Sequence, residues 1–174
     1  MHNKNFIMNI SVAEYIEYYH LQPHPEGGYF SETYRSGESI SCSALPKRFK
    51  GARNFSTVIY FLLERGQFSA FHRIQSDECW HFYSGGTLRI YIILANGKLE
   101  TVYLGNNIKN NESFQFVVPA ACWFAAEPAD DGLFSFVGCT VAPGFDFADF
   151  ELAKAEELTM LYPQHKSLIK RLTR

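Results

Sequence analysis

Residues 66–85 read GQFSAFHRIQSDECWHFYSG, with glycine at both ends. Side chains of a strand alternate between its two faces. Phe68, Ala70, His72 and Ile74 therefore share one face of a first strand. Residues 75–77 read as a turn, and Glu78, Trp80 and Phe82 share one face of the strand that follows. If both faces point into one barrel, His72 and Glu78 meet in a cavity walled by aromatic rings. Imidazole titrates near neutrality and a nearby carboxylate favours its charged form, so the two make a candidate acid–base pair. The plainer alternative is a buried hydrogen bond that satisfies two polar groups.

Outward from this stretch, the chain is a series of short apolar segments cut by turn residues. Tyr29 to Arg35 alternates after the turn His24-Pro25-Glu26-Gly27-Gly28, and residues 56–63 form a continuous apolar run bounded by charge. Segments 88–94 and 98–104 flank Ala95-Asn96-Gly97, a hairpin signal because Asn-Gly tolerates φ > 0 at both turn positions. Segments 113–118, 122–126 and 134–141 complete the set. Such spacing predicts an antiparallel sandwich or barrel. Residues 37–53 are a polar connection, read as a flap or interface loop. Ser11-Val12-Ala13-Glu14 is a capping box with Ile10 and Tyr15 at the staple positions, which predicts a short helix to about His20. Leu158, Leu161, Leu168 and Leu172 recur at helical intervals around Pro163, predicting two short helices over about 154–172.

The 174 residues suit one domain, with the barrel over about 24–150. Aromatic residues make up 16% of the chain, which favours a β-rich fold with an aromatic interior. A net charge of −2 gives no electrostatic case for nucleic acid or an anionic membrane. Cys42, Cys79, Cys122 and Cys139 are widely spaced, which argues against a zinc knuckle and for free thiols in a cytoplasmic protein. The start, MHNKNFIMNI, has no apolar run of secretory length, and no stretch approaches a membrane span.

The central stretch resembles the first motif of the cupin superfamily: Gly, five residues, His-x-His, three or four residues, Glu, six residues, Gly. Gly66, His72, Glu78 and Gly85 match it, and Ile74 stands at the second His. The second cupin motif, Pro-x-Gly-x-x-His, falls on residues 119–124, with Pro119 kept, Ala121 for Gly and Phe124 for the last His. HPEGGYFSETYRS (24–36), STVIYFLL (56–63), FHRIQSDECWHFYSG (71–85) and CTVAPGFDFADFEL (139–152) resemble the Cupin-5 family of small cupins whose reaction is unassigned. The resemblance implies an all-β double-stranded β-helix, the cupin jelly roll, with a short N-terminal helix and two short C-terminal helices. It also implies a homodimer in which a strand after the Gly27-Gly28 turn leaves to pair with the partner.

Full cupin sites hold a transition metal with three His and one Glu, whereas two of those positions are apolar here. No cofactor is therefore expected, and the alternative is a metal-dependent cupin with a degenerate ligand set. His81 falls on the face opposite Glu78, and His24 cannot be placed from sequence. The resemblance to the cupin-like dTDP-4-dehydrorhamnose 3,5-epimerase implies metal-free proton transfer. The expected function is an isomerase- or epimerase-like enzyme on a sugar or nucleotide-sugar, with His72 and Glu78 catalytic. Trp80, Phe82, Trp123, Phe124 and Tyr60 would line the small-molecule pocket. The alternative is a binding protein using the same pocket without turnover.

Overall fold

The computed structural model describes residues 10–174. The start of the chain, read above for a secretory run, falls mostly outside them. Helix α1 (Val12–Tyr18) opens on the expected capping box, in which the Ser11 side chain accepts from the Glu14 N–H and the Ser11 N–H donates to Glu14 at 2.7 Å. The strands follow in chain order: β1 (Gln22–Pro23), β2 (Tyr29–Arg35), β3 (Ser39–Ile40), β4 (Arg53–Asn54), β5 (Thr57–Glu64), β6 (Ser69–Arg73), β7 (Asp77–Gly85), β8 (Leu88–Ile93), β9 (Leu99–Leu104), β10 (Gln115–Val118), β11 (Trp123–Pro128), β12 (Phe134–Ala142) and β13 (Glu151–Leu152). Helices α2 (Ala155–Leu161) and α3 (Lys166–Arg171) close the chain.

Two antiparallel sheets face each other, in the orders β1-β2-β5-β12-β7-β10 and β13-β6-β11-β8-β9. This is the expected jelly roll. The connection 37–53 carries the β3–β4 pair and a 3-10 turn at Cys42–Ala44. In the β8–β9 hairpin only Gly97 takes positive φ, at 80°, so one left-handed residue suffices where the sequence allowed two.

Between the sheets lies the main core, with Phe61, Leu63, Trp80, Phe82, Ile90, Ile92, Phe124 and Val137. Burying each large side chain contributes on the order of 2 kcal/mol. The outer faces are covered too. Helix α1 lays Tyr15 and Tyr19 on Tyr60, Leu62 and Phe136. Helices α2 and α3 lay Leu158, Ile169 and Leu172 on Phe71, Tyr91 and Trp123. Both sheets are thus apolar on the outer patches that the helices cover as well as on their inner faces.

Strand β2 stays in its own sheet, paired with β5 from Tyr29↔Leu62 to Arg35↔Thr57 with a register shift between Glu32 and Tyr34. The expectation that it leaves the barrel is corrected. The Gly27-Gly28 turn folds it back against β5 instead of releasing it.

Candidate functional site

The turn between β1 and β2 delivers two side chains that the sequence left unplaced. Gly27 (φ +117°) and Gly28 (φ +71°) let it lie flat across the barrel end. A Cβ on Gly27 would stand 2.2 Å from the Phe68 carbonyl oxygen, and one on Gly28 would stand 2.6 Å from that of Leu62. The Ala70 N–H donates to the Glu26 carbonyl at 2.9 Å, stitching the turn to β6 beside His72. His24 and Glu26 thereby enter the barrel interior.

The hydrogen bonds of this cluster assign its protons. The Ala70 carbonyl, 2.8 Å from His72 Nδ1, can only accept, so Nδ1 carries a proton. Nε2 of His72 stands 3.2 Å from Glu26 Oε2. The Ser69 hydroxyl donates to Glu26 Oε1 at 2.8 Å, and the Glu26 N–H donates to His24 Nδ1 at 3.3 Å. Burial raises the Glu26 carboxyl above its ordinary value and lowers both His72 and His24, outweighing their mutual attraction. All three directions favour neutral groups. Because Nδ1 keeps its own proton, one further proton lies between Glu26 Oε2 and His72 Nε2, and the pair as a whole carries no net charge.

Glu78, on β7, faces the same space. Burial pushes its carboxyl up to about 7, against the opposing pull of His72, with Glu26 adding to the rise. Cys139 and Trp80 lie beside it and favour the carboxylate, although Trp80 Nε1 reaches no acceptor at hydrogen-bond distance. His24, Glu26, His72 and Glu78 converge on a largely enclosed cavity of about 70 Å³. Phe30, Phe61, Ile59, Ile74 and Val141 wall it, with Glu32 and Arg35 also lining it.

One side of the cavity is the segment between β12 and β13, which contributes Phe145, Phe147 and Phe150. Phe150 packs on His72 at 5.4 Å between ring centroids and on His24 at 6.0 Å. Two arginines hold this segment. Arg53 grips Asp149 through Nε and Nη2, both at 2.6 Å, in a buried pair. Arg35 donates to the Phe145 carbonyl at 3.0 Å while pairing with Glu32.

The sequence-expected site is therefore partly rebuilt. His72 and Glu78, 2% and 7% exposed, do line the cavity. His72 hydrogen-bonds Glu26, however, and not Glu78. None of the five expected pocket residues lines it. Trp80 and Phe82 face inward but belong to the packed core beyond the cavity. Phe124 is there too, its ring 4.1 Å from that of His72, behind the site. Trp123 faces outward against the C-terminal helices, with the Arg73 guanidinium 4.5 Å over its ring. Tyr60 faces outward against α1. Arg73 pairs with Glu151. His81 lies off the cavity, bonded to Thr140 and Gln115.

A cupin-type metal does not fit these residues. Of the four positions that match cupin ligands, Ile74 and Phe124 offer no donor atom, and both nitrogens of His72 are engaged. No three His, Cys, Asp or Glu among the described residues form a metal-holding group.

A jelly roll with an enclosed interior site at one end is the architecture of a cupin. The chain belongs to the Cupin_5 family, described as "Cupin superfamily (DUF985)", whose model matches residues 13–153. The crystal structure of protein SO0799 from Shewanella oneidensis is similar, at 41% identity and a TM-score of 0.85, over 95% of this chain and 98% of that one. A hypothetical protein from Leishmania major is similar at 32% identity and TM-score 0.85, over 94% of this chain and 99% of its own. The uncharacterized protein YML079W of Saccharomyces cerevisiae is 30% identical over 158 residues, covering 84% of this chain and 77% of the yeast protein.

Proposed function

We propose that this cavity performs proton transfer on a compact polar metabolite, as an isomerase- or epimerase-like enzyme. One observation carries the reading: a buried carboxyl held near 7, Glu78, shares an enclosed cavity with a second, independently held acid, Glu26. A general base works best with its pKa near the operating pH. As carboxylate, Glu78 takes the proton from a C–H bond beside a carbonyl. The Glu26–His72 pair gives the proton it holds between Oε2 and Nε2 to the carbon, breaking that hydrogen bond as the new C–H bond forms. One C–H bond breaks and one forms, and the two carboxyls re-equilibrate with solvent before the next turnover. Residues 145–150 exclude water. A compact substrate, or the reacting end of a larger one, reaches the cavity past this segment, whose most exposed ring is Phe147.

The test needs no prior substrate. Small carbonyl metabolites are incubated with the protein in D2O and followed by proton NMR for loss of C–H signal. At least one should exchange, and His72→Gln, Glu26→Gln and Glu78→Gln should each slow it by at least about 100-fold, the usual reach of acid–base catalysis. Metabolites that bind without exchange would make this a binding protein.

The same reading takes the chain as a cytoplasmic homodimer. Four free thiols support the compartment. The edge of β2 supports the assembly: β1 covers only Tyr29 and Phe30, leaving the rest of that edge for a second copy.

A further inference from the structure

The charge inventory of the cavity is one-sided. Glu26 and Glu78 both line it, and no Lys or Arg among the described residues ion-pairs with either. Arg35, also lining the cavity, is already held by Glu32 at 2.6 and 3.0 Å, by Asn54 at 3.0 Å and by the Phe145 carbonyl. His24 and His72 are both held toward their neutral forms by burial. Glu26 is engaged by Ser69 and His72, so Glu78 is the carboxyl left without a strong donor.

Five phenylalanines, Phe30, Phe61, Phe145, Phe147 and Phe150, surround these groups. The faces of aromatic rings attract cations through their quadrupole, most of all where water is excluded. An anion would meet Glu78 and π-rich walls, and the one guanidinium lining the cavity, Arg35, is already paired with Glu32. A neutral ligand would leave the buried carboxylate uncompensated.

We propose that the cavity selects a compact ligand carrying an ammonium group, with the nitrogen on Glu78 and the hydrocarbon part among the phenylalanines. This rests on the cavity being the working site, and it names the substrate class of that site: one Glu78 oxygen meets the nitrogen and the other stays free for the C–H beside it. The cavity volume of about 70 Å³ suits a ligand of a few heavy atoms or the amino end of a larger one.

The experiment uses the full chain at pH 8 and constant ionic strength, with three probes of similar size: propylammonium chloride, 1-propanol and sodium propanoate. Affinity is read from nitrogen-15 shifts of the His24 and His72 rings. Propylammonium should bind at least tenfold tighter than the other two. Glu78→Gln should remove that preference, and Phe147→Leu, at an exposed ring, should weaken it severalfold with the fold intact. Propanol or propanoate binding as tightly, or an unchanged preference in Glu78→Gln, would overturn the inference while leaving the cavity a ligand site. Silence of all three probes would overturn it as well. Propylammonium binding combined with no deuterium exchange in any metabolite would support the inference and sink the enzymatic reading instead.

Discussion

Burial holds the Glu78 carboxyl near 7, against an ordinary value of 4.5. The folded chain therefore binds more protons than the unfolded chain between those values, and folding stability falls as pH rises through that window. The loss amounts to about 3 kcal/mol above pH 7. His72 and His24 act oppositely: both titrate below 6.5 in the folded chain, so their burial costs stability as pH falls under 6.5. Glu78→Gln removes the first effect only. Urea unfolding should show the variant gaining on the wild type from pH 5 to pH 8, by up to about 2–3 kcal/mol; a gap that does not change with pH would contradict the assignment. At this scale His72 and Glu78 were legible because, with Gly66 and Gly85, they match the first cupin motif, and the resemblance implies that both face inward. Glu26 was not. It sits far upstream in a turn, and its only signal was a glutamate beside two glycines, whose positive φ values bend the turn onto the sheet.

Among the elements, the segment at residues 145–150 depends on the Arg53–Asp149 pair, whose two bonds are both buried. Asp149→Asn keeps the shape and removes the charge, leaving Arg53 uncompensated, at a cost of about 3–5 kcal/mol. Hydrogen exchange should quicken first in residues 145–150. Arg35→Gln, at a pair with both side chains 38% exposed, should cost under about 1 kcal/mol. Equal losses in both variants would contradict a latch at Asp149. The longer strands were readable, most from alternation and residues 56–63 from a continuous apolar run, whereas the two-residue strands β1, β3, β4 and β13 and the facing of the aromatics were not. Period two separates two faces without saying which is interior. Here α1 buries Tyr60 from outside and α2 with α3 bury Trp123, so outward residues are as apolar as inward ones. Composition could not separate a cavity wall from packed core either, which is why Trp80, Phe82 and Phe124 were misplaced by depth rather than by face.

For the whole molecule, the jelly roll is closed by packing on three levels: between the sheets, under α1, and under α2 with α3. Among the described residues no part of that core uses a metal ligand set, so exhaustive chelation should leave the unfolding midpoint unchanged. A fall of several degrees would show a structural ion. The open edge of β2 carries the assembly proposal. Sedimentation velocity should give a dimer at micromolar concentration, and proline at Thr33, on that strand, should shift it toward monomer. A monomer at those concentrations would remove the assembly from the account.

The central claim is that Glu78 stands apart from the neutral Glu26–His72 pair and titrates in the range where a proton carrier works. Carbon-13 titration of the glutamate side-chain carboxyls, from pH 3 to 9, tests it directly, with Glu78→Gln and Glu26→Gln as assignments. One carboxyl with a midpoint near 7 that disappears in Glu78→Gln is the predicted result. A Glu78 carboxyl that titrates in the ordinary carboxylate range, together with a His72 that protonates like an exposed imidazole, would contradict it.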